Sequence, residues 1–188
     1  METRNTRLRM LILCAMFTAI TAVLAQVEIP LPIVPISGQT LAVGLTATII
    51  GSRYGALAMI CYALLGAIGA PVFAEAKGGP HILIGPTGGY IIGFIVTAYV
   101  TGLILERTRY TIAMAMIANT VGMVITLAFG AVQLKYVLDM TWAEAMAAGV
   151  TPFIVVGLIK AFLASWIGII VRNRLVQAQL LVSPQKAA

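Results

Sequence analysis

The chain has 188 residues, of which 61% are hydrophobic and only 10% charged, with a formal net charge of +6. A soluble domain is nearer half apolar and a quarter charged, so this composition and a mean hydropathy of +1.02 exclude an ordinary water-soluble protein. The positive charges are spread along the chain rather than gathered into one patch, which argues against nucleic acid as a partner and for a membrane topology.

A hydrocarbon core of ~30 Å is crossed by ~20 helical residues at ~1.5 Å rise each. The length therefore fits about six spans in a single domain over residues 1–188, with polar tails at 1–7 and 173–188. A closed β-barrel also satisfies every backbone group in lipid, but it requires alternating apolar and polar residues. The apolar runs here are continuous, so the predicted fold class is an all-α bundle of six transmembrane helices.

In chain order, the first span covers Leu8 to Gln26. Arg4, Arg7 and Arg9 before the apolar run Leu11 to Ala25 resemble the start of a signal peptide, but Gln26, Val27, Glu28 and prolines follow where a cleavage site would stand, and the segment reads as a retained helix. Pro30, Pro32 and Pro35 then force an extended or turning segment. The second span covers Ser37 to Ile50, Gly51 to Gly55 reads as a tight turn, and the third span covers Tyr54 to Ala70. Pro71 to Pro86 reads as a polar, glycine-bearing loop. The fourth span covers Thr87 to Leu105, with a short turn at Glu106 to Arg109, and the fifth covers Tyr110 to Leu134. Asp139 to Ala148 suggests a short interfacial helix before the sixth span, Thr151 to Val171.

With the N-terminus in the cytoplasm, Arg4, Arg7, Arg9, Arg53, Arg107, Arg109, Arg172, Arg174 and Lys186 fall inside, and only Lys77 and Lys135 fall outside. This split follows the positive-inside rule and predicts both termini in the cytoplasm. The outer connections are longer and richer in Pro and Gly, which places the functional face there.

The densest constellation is Glu75, Lys77, Gly78, Gly79 and His81, followed by Gly85, Pro86, Thr87, Gly88, Gly89 and Tyr90. Its glycines permit tight turns and close approach of a ligand, and Thr87 is placed to cap a helix whose N-terminus suits an anion. The same loop also reads as one that simply folds over helix ends. Lys160 is placed near the middle of the sixth span, where a lysine costs roughly 2.5–3.5 kcal/mol and so calls for a cavity or a partner. Gln39 and Thr40 either line an outer cavity or cap the second span. Asn119, mid-way along the fifth span, suggests an interhelical hydrogen bond. Ala15, Ala19 and Ala22 form a small-residue face that either packs inside the bundle or admits a helix of another subunit. His81 has no second ligand near it, so no metal is expected. Cys14 and Cys61 read as small buried hydrophobes. No Walker A loop, no nucleophile–base order and no HExxH motif is present, so no enzyme and no cofactor is expected, and any energy the chain uses would come from another subunit or an ion gradient.

The runs Pro30-Leu31-Pro32-Ile33-Val34-Pro35-Ile36 with Gln39-Thr40, Gly66-Ala67-Ile68-Gly69-Ala70-Pro71-Val72-Phe73, Gly78-Gly79, and Gly85-Pro86-Thr87-Gly88-Gly89-Tyr90-Ile91-Ile92-Gly93-Phe94 resemble the signature of the BioY family. BioY proteins are the biotin-binding S-components of energy-coupling factor (ECF) transporters. The resemblance implies six helices, with outer loops closing over a biotin site, and it implies Gln39, Thr40, Glu75, Lys77, Gly78, Gly79, Pro86, Thr87, Tyr90 and Lys160 as substrate-binding residues. It further implies that Ala15, Ala19 and Ala22 dock a transmembrane coupling subunit, to which two ATPase subunits supply energy. Gly157 stands where the family often has Asp, and Lys77 where it often has Asn; both family residues are expected to contact the ureido group, and Glu75 is a substitute acceptor. The resemblance leaves two alternatives, an S-component for another small vitamin and a stand-alone biotin carrier.

Overall fold

The computed structural model describes residues 2–181, with side chains described from residue 6. Lys186 and the rest of residues 182–188 at the end of the C-terminal tail lie outside the described residues. The elements in chain order are helix α1 (Glu2–Ala25), a two-stranded hairpin of β1 (Glu28–Ile29) and β2 (Ile36–Ser37), α2 (Gln39–Ala67), a single 3-10 turn (Ala74–Ala76), α3 (Pro80–Ile84), α4 (Gly88–Arg107), α5 (Ile112–Val137), α6 (Trp142–Gly149) and α7 (Thr151–Gln177).

Apolar runs become helices because only internal hydrogen bonding satisfies the backbone in hydrocarbon. Among the described residues five helical stretches are long and apolar enough to cross a membrane: 6–25, α2, α4, α5 and the pair α6–α7. The sixth crossing comes from α2, which is two antiparallel arms. Gly51 breaks it with φ 82° and ψ −172°. A Cβ on Gly55 would stand 3.4 Å from the Cα of Ala47, and Gln39 Nε2 donates to the Tyr62 hydroxyl at 2.6 Å. In one unbroken helix residues 39 and 62 would be about 35 Å apart. The reversal expected over five residues is thus made at one, and the two arms read as the predicted second and third spans.

Hydroxyls tie the helices together. Thr18 donates from α1 to the Ala58 carbonyl at 3.0 Å, and Thr97 from α4 to the Gly122 carbonyl at 2.9 Å. At the end rich in arginine, Glu106 accepts from the backbone N–H and the hydroxyl of Ser52, both at 2.7 Å, which fixes the reversal to α4. Buried Arg172 donates to the Ile49 carbonyl and stacks 3.6 Å from the Tyr110 ring centre. Burial pushes the Tyr110 phenol up from its ordinary pKa; Arg172 opposes the shift and Glu106 adds to it.

Several boundaries differ from expectation. α1 begins at Glu2 and α7 continues to Gln177, so helix extends into both predicted tails. The segment Pro71 to Pro86 is not all loop, because Pro80 starts a short helix after Gly79. Thr87 holds the capping position of α4, but its side chain makes no capping hydrogen bond; the expected cap is absent. The predicted interfacial helix is α6, closed by a reciprocal Thr141–Glu144 capping box.

Candidate functional site

At the end opposite the arginines the first arm of α2, α4, α5 and α7 enclose a cavity of ≈ 360 Å³, within the range of roughly 300–1,000 Å³ typical of small-molecule sites. Two connections roof it. The prolines of 30–35 leave no helical option, and Leu31 to Pro35 lie across the opening while β1 and β2 pair Glu28 with Ser37 and Ile29 with Ile36. The second connection, 73–77, is hooked to the first by side chains acting on backbone: Gln26 Nε2 donates to the Phe73 carbonyl at 3.0 Å, Gln26 Oε1 accepts from the Ala76 N–H at 2.9 Å, and Glu28 Oε2 accepts from the Glu75 N–H at 3.2 Å. Glu75 and Ala76 both take positive φ, 59° and 52°, a conformation such residues hold only when their surroundings impose it.

The roof is anchored in the core by Phe73, 1% exposed, whose ring meets Tyr62 edge-on at 5.4 Å. Gly66 makes this possible, since a Cβ there would lie 2.0 Å from the Phe73 ring. Tyr90 forms part of the wall and donates to the Gly149 carbonyl at 2.7 Å. Its ring rests on Gly130, where a Cβ would come within 2.2 Å.

Of the ten predicted substrate-binding residues, Gln39, Thr40, Glu75, Lys77, Pro86, Thr87, Tyr90 and Lys160 line the cavity. Gly78 and Gly79 do not. A Cβ on Gly78 would meet the Ala70 carbonyl at 2.3 Å, and Gly79, at φ 111°, donates its N–H to the Gly66 carbonyl at 2.7 Å. These two glycines shape the roof from behind. Gly88 and Gly89 likewise let α4 approach Leu83 and Phe129 closely. The glycine-rich run therefore combines both readings, with wall residues at Pro86, Thr87 and Tyr90 and packing at its glycines.

Lys160 reaches out of α7 to the Ser37 carbonyl at 2.6 Å and the Thr40 hydroxyl at 3.2 Å. Both partners are neutral, and among the described residues no acidic side chain pairs with it. Glu75 and Lys77 form an ion pair with each other, so together they add no net charge. The cavity thus carries an uncompensated ammonium among Val43, Phe94, Leu127 and Phe153, an environment that favours a largely apolar ligand with an anionic group. Gly157 also lines the cavity; the space its side chain would take is filled by Met123, whose Sδ stands 2.4 Å from the ideal Cβ position.

Sequence reasoning missed the deep wall: Thr97, Asn119 and Thr126 line the same cavity and are buried. The interhelical bond expected of Asn119 is present, to Thr48 and Ser165 at 3.1 Å each. On the outside of the bundle Ala15 and Ala19 are exposed, whereas Ala22 is half-buried and packs against the core. Among the described residues no three His, Cys, Asp or Glu side chains converge as a metal site would require.

Similarity to known proteins fits this geometry. The biotin transporter BioY2 of Lactococcus lactis subsp. cremoris is 41% identical over 166 residues, covering 88% of this chain and 91% of that protein. The biotin transporter BioY of Thermotoga maritima is 42% identical over 163 residues, covering 86% and 95%. The fold matches the crystal structure of the S-component for biotin from an ECF-type ABC transporter with a TM-score of 0.82 and 25% identity, over 90% of this chain and 93% of that one. The model of the BioY family matches residues 1–177, and this chain belongs to that family.

Proposed function

We propose that this chain is the biotin-binding S-component of an ECF-type transporter, set in the cell membrane with both termini cytoplasmic and its roofed cavity facing outward. The observation that carries the reading is the enclosed, mostly apolar cavity with one unpaired ammonium, Lys160. Such a site excludes water from a fused-ring vitamin and supplies a cation for its carboxylate. It is a binding and transport protein and makes or breaks no covalent bond. Entry and exit of the ligand require the roof to open, and the paired connections 30–35 and 73–77 are the parts that must move.

The direct test is calorimetric titration of detergent-purified protein with biotin and a panel of other vitamins. Saturable binding of biotin alone is expected; a folded protein that gives no heat with biotin would falsify the assignment. Lys160→Ala should weaken biotin by roughly ten- to hundredfold, the range for a hydrogen bond to a charged group, and biotin amide much less. Equal losses for both would remove the carboxylate role. Glu75→Ala should weaken biotin if Glu75 accepts from the ureido group, and unchanged affinity would discard that part.

The partners in this reading are a transmembrane coupling subunit and two ATPase subunits. Ala15 and Ala19 offer the coupling face, because they are exposed and small. Ala15→Leu and Ala19→Leu should leave biotin binding intact and abolish ATP-dependent uptake in proteoliposomes. Full uptake by the double variant would move the docking face elsewhere.

A further inference from the structure

Asn119 lies mid-way along α5, 6% exposed, and its surroundings fix which way its amide points. Nδ2 stands 3.0 Å from the Ala115 carbonyl and 3.1 Å from both Thr48 Oγ1 and Ser165 Oγ. The Ala115 carbonyl can only accept, and Ser165 uses its own proton on the Ala161 carbonyl at 2.6 Å. The nitrogen therefore faces these groups, and the carbonyl oxygen faces the other way.

That oxygen accepts no hydrogen bond among the described residues, yet it is not sealed from open space. Asn119 borders the cavity beside Gly44, and a Cβ on Gly44 would stand 2.6 Å from Oδ1. Glycine at 44 is what keeps the carbonyl uncovered. The hydroxyls about two turns nearer the roof have the same polarity. Thr97 donates to the Gly122 carbonyl at 2.9 Å, which makes Thr126 the donor in their shared 2.8 Å contact. The deep wall has committed its protons elsewhere and presents lone pairs to the cavity. Ala164, which borders Gly44 beside Asn119, is one turn beyond Lys160, so Asn119 Oδ1 lies about 6 Å deeper than the lysine's own position along α7. At Gly157 α7 has no side chain to accept a hydrogen bond, and Met123 covers that spot.

We infer that Asn119 is a ligand-binding residue, whose Oδ1 accepts an N–H of the ligand's ring. The inference rests on the biotin reading, in which the ureido ring brings two N–H groups to a wall of acceptors. The deep wall would then distinguish a cyclic urea from a ring of the same size without N–H donors.

The test titrates biotin and its analogue methylated on both ureido nitrogens into wild type, Asn119→Ser and Ser165→Ala. The serine at 119 keeps a hydroxyl able to donate to the Ala115 carbonyl. Wild type should lose at least about tenfold on methylation. Asn119→Ser should bind biotin roughly tenfold more weakly and show a methylation penalty under about threefold. Ser165→Ala should lower thermal stability and keep the full penalty, which separates ligand contact from mere support of the bundle. If Asn119→Ser does not fold, Asn119→Ala in lipid nanodiscs gives the same comparison. An equal methylation penalty in wild type and the Asn119 variant overturns the inference. A folded wild type that ignores biotin overturns the biotin reading as well, so the wild-type titration tells the two failures apart.

Discussion

Gly51→Ala attacks the point at which α2 turns back on itself. Gly51 sits at φ 82° and ψ −172°, a region that residues with a Cβ enter only at a cost of about 1–3 kcal/mol. A Cβ there would also lie 2.4 Å from Glu106 Oε1, the oxygen that accepts from the Ser52 N–H at 2.7 Å. Moving the carboxylate aside loses at least one hydrogen bond to a charged group, worth about 1.5–3 kcal/mol. The sum is about 4 kcal/mol, or a fall in Tm of roughly 8–16 °C for a chain of this size. Gly69→Ala is the control: Gly69 has φ 103° but nothing within 4 Å of its Cβ position, so only the backbone term applies. Thermal unfolding in detergent, followed by intrinsic fluorescence, measures both. In a Glu106→Ala background Gly51→Ala should cost little more than Gly69→Ala, because the collision is gone. If Gly51→Ala and Gly69→Ala lower Tm equally, or if removing Glu106 changes nothing, the account of the reversal is wrong.

Gln26→Ala removes the donor to the Phe73 carbonyl and the acceptor for the Ala76 N–H; the loss of about 1.4 kcal/mol should speed biotin dissociation roughly tenfold, read by chase with unlabelled biotin. Gly66→Ala must evict the Phe73 ring, so hydrogen exchange at residues 73–77 should rise well above wild type; unchanged exchange would mean the ring is not the roof's anchor. Tyr90→Phe loses one hydrogen bond to Gly149 and should cost about 1–3 kcal/mol of stability with little change in affinity, whereas Gly130→Ala drives the ring from its seat and should weaken biotin at least about tenfold; titration of the two variants side by side checks the contrast.

The bundle was largely legible in the sequence because lipid leaves so few choices. Unbroken apolar runs had to be helices, and the prolines at 30, 32 and 35 had to interrupt them. The wall residues Gln39, Thr40, Tyr90 and Lys160 stood out as polar or aromatic groups beside those interruptions or stranded within a span. Gly78 and Gly79 misled, because a glycine admitting a ligand and one admitting the chain's own backbone look alike until the Ala70 and Gly66 carbonyls are in place. The deep wall was hidden for a related reason. Asn119 is a candidate bundle bond in any apolar helix, and its free carbonyl emerges only when Thr48 and Ser165, 71 and 46 residues away, are brought to its nitrogen. The short helix Pro80–Ile84 was obscured by the glycines around it, although Pro80 supplied a usable starting signal.

The hooks that hold 73–77 to the hairpin grip peptide groups, namely the Phe73 carbonyl and the Glu75 and Ala76 amides, and leave the side chains at 75 and 77 tied only to each other. Attachment and chemistry are thereby assigned to different atoms of the same strap. Exchanging the charges at 75 and 77 therefore changes the charge pattern over the cavity without undoing the fastening.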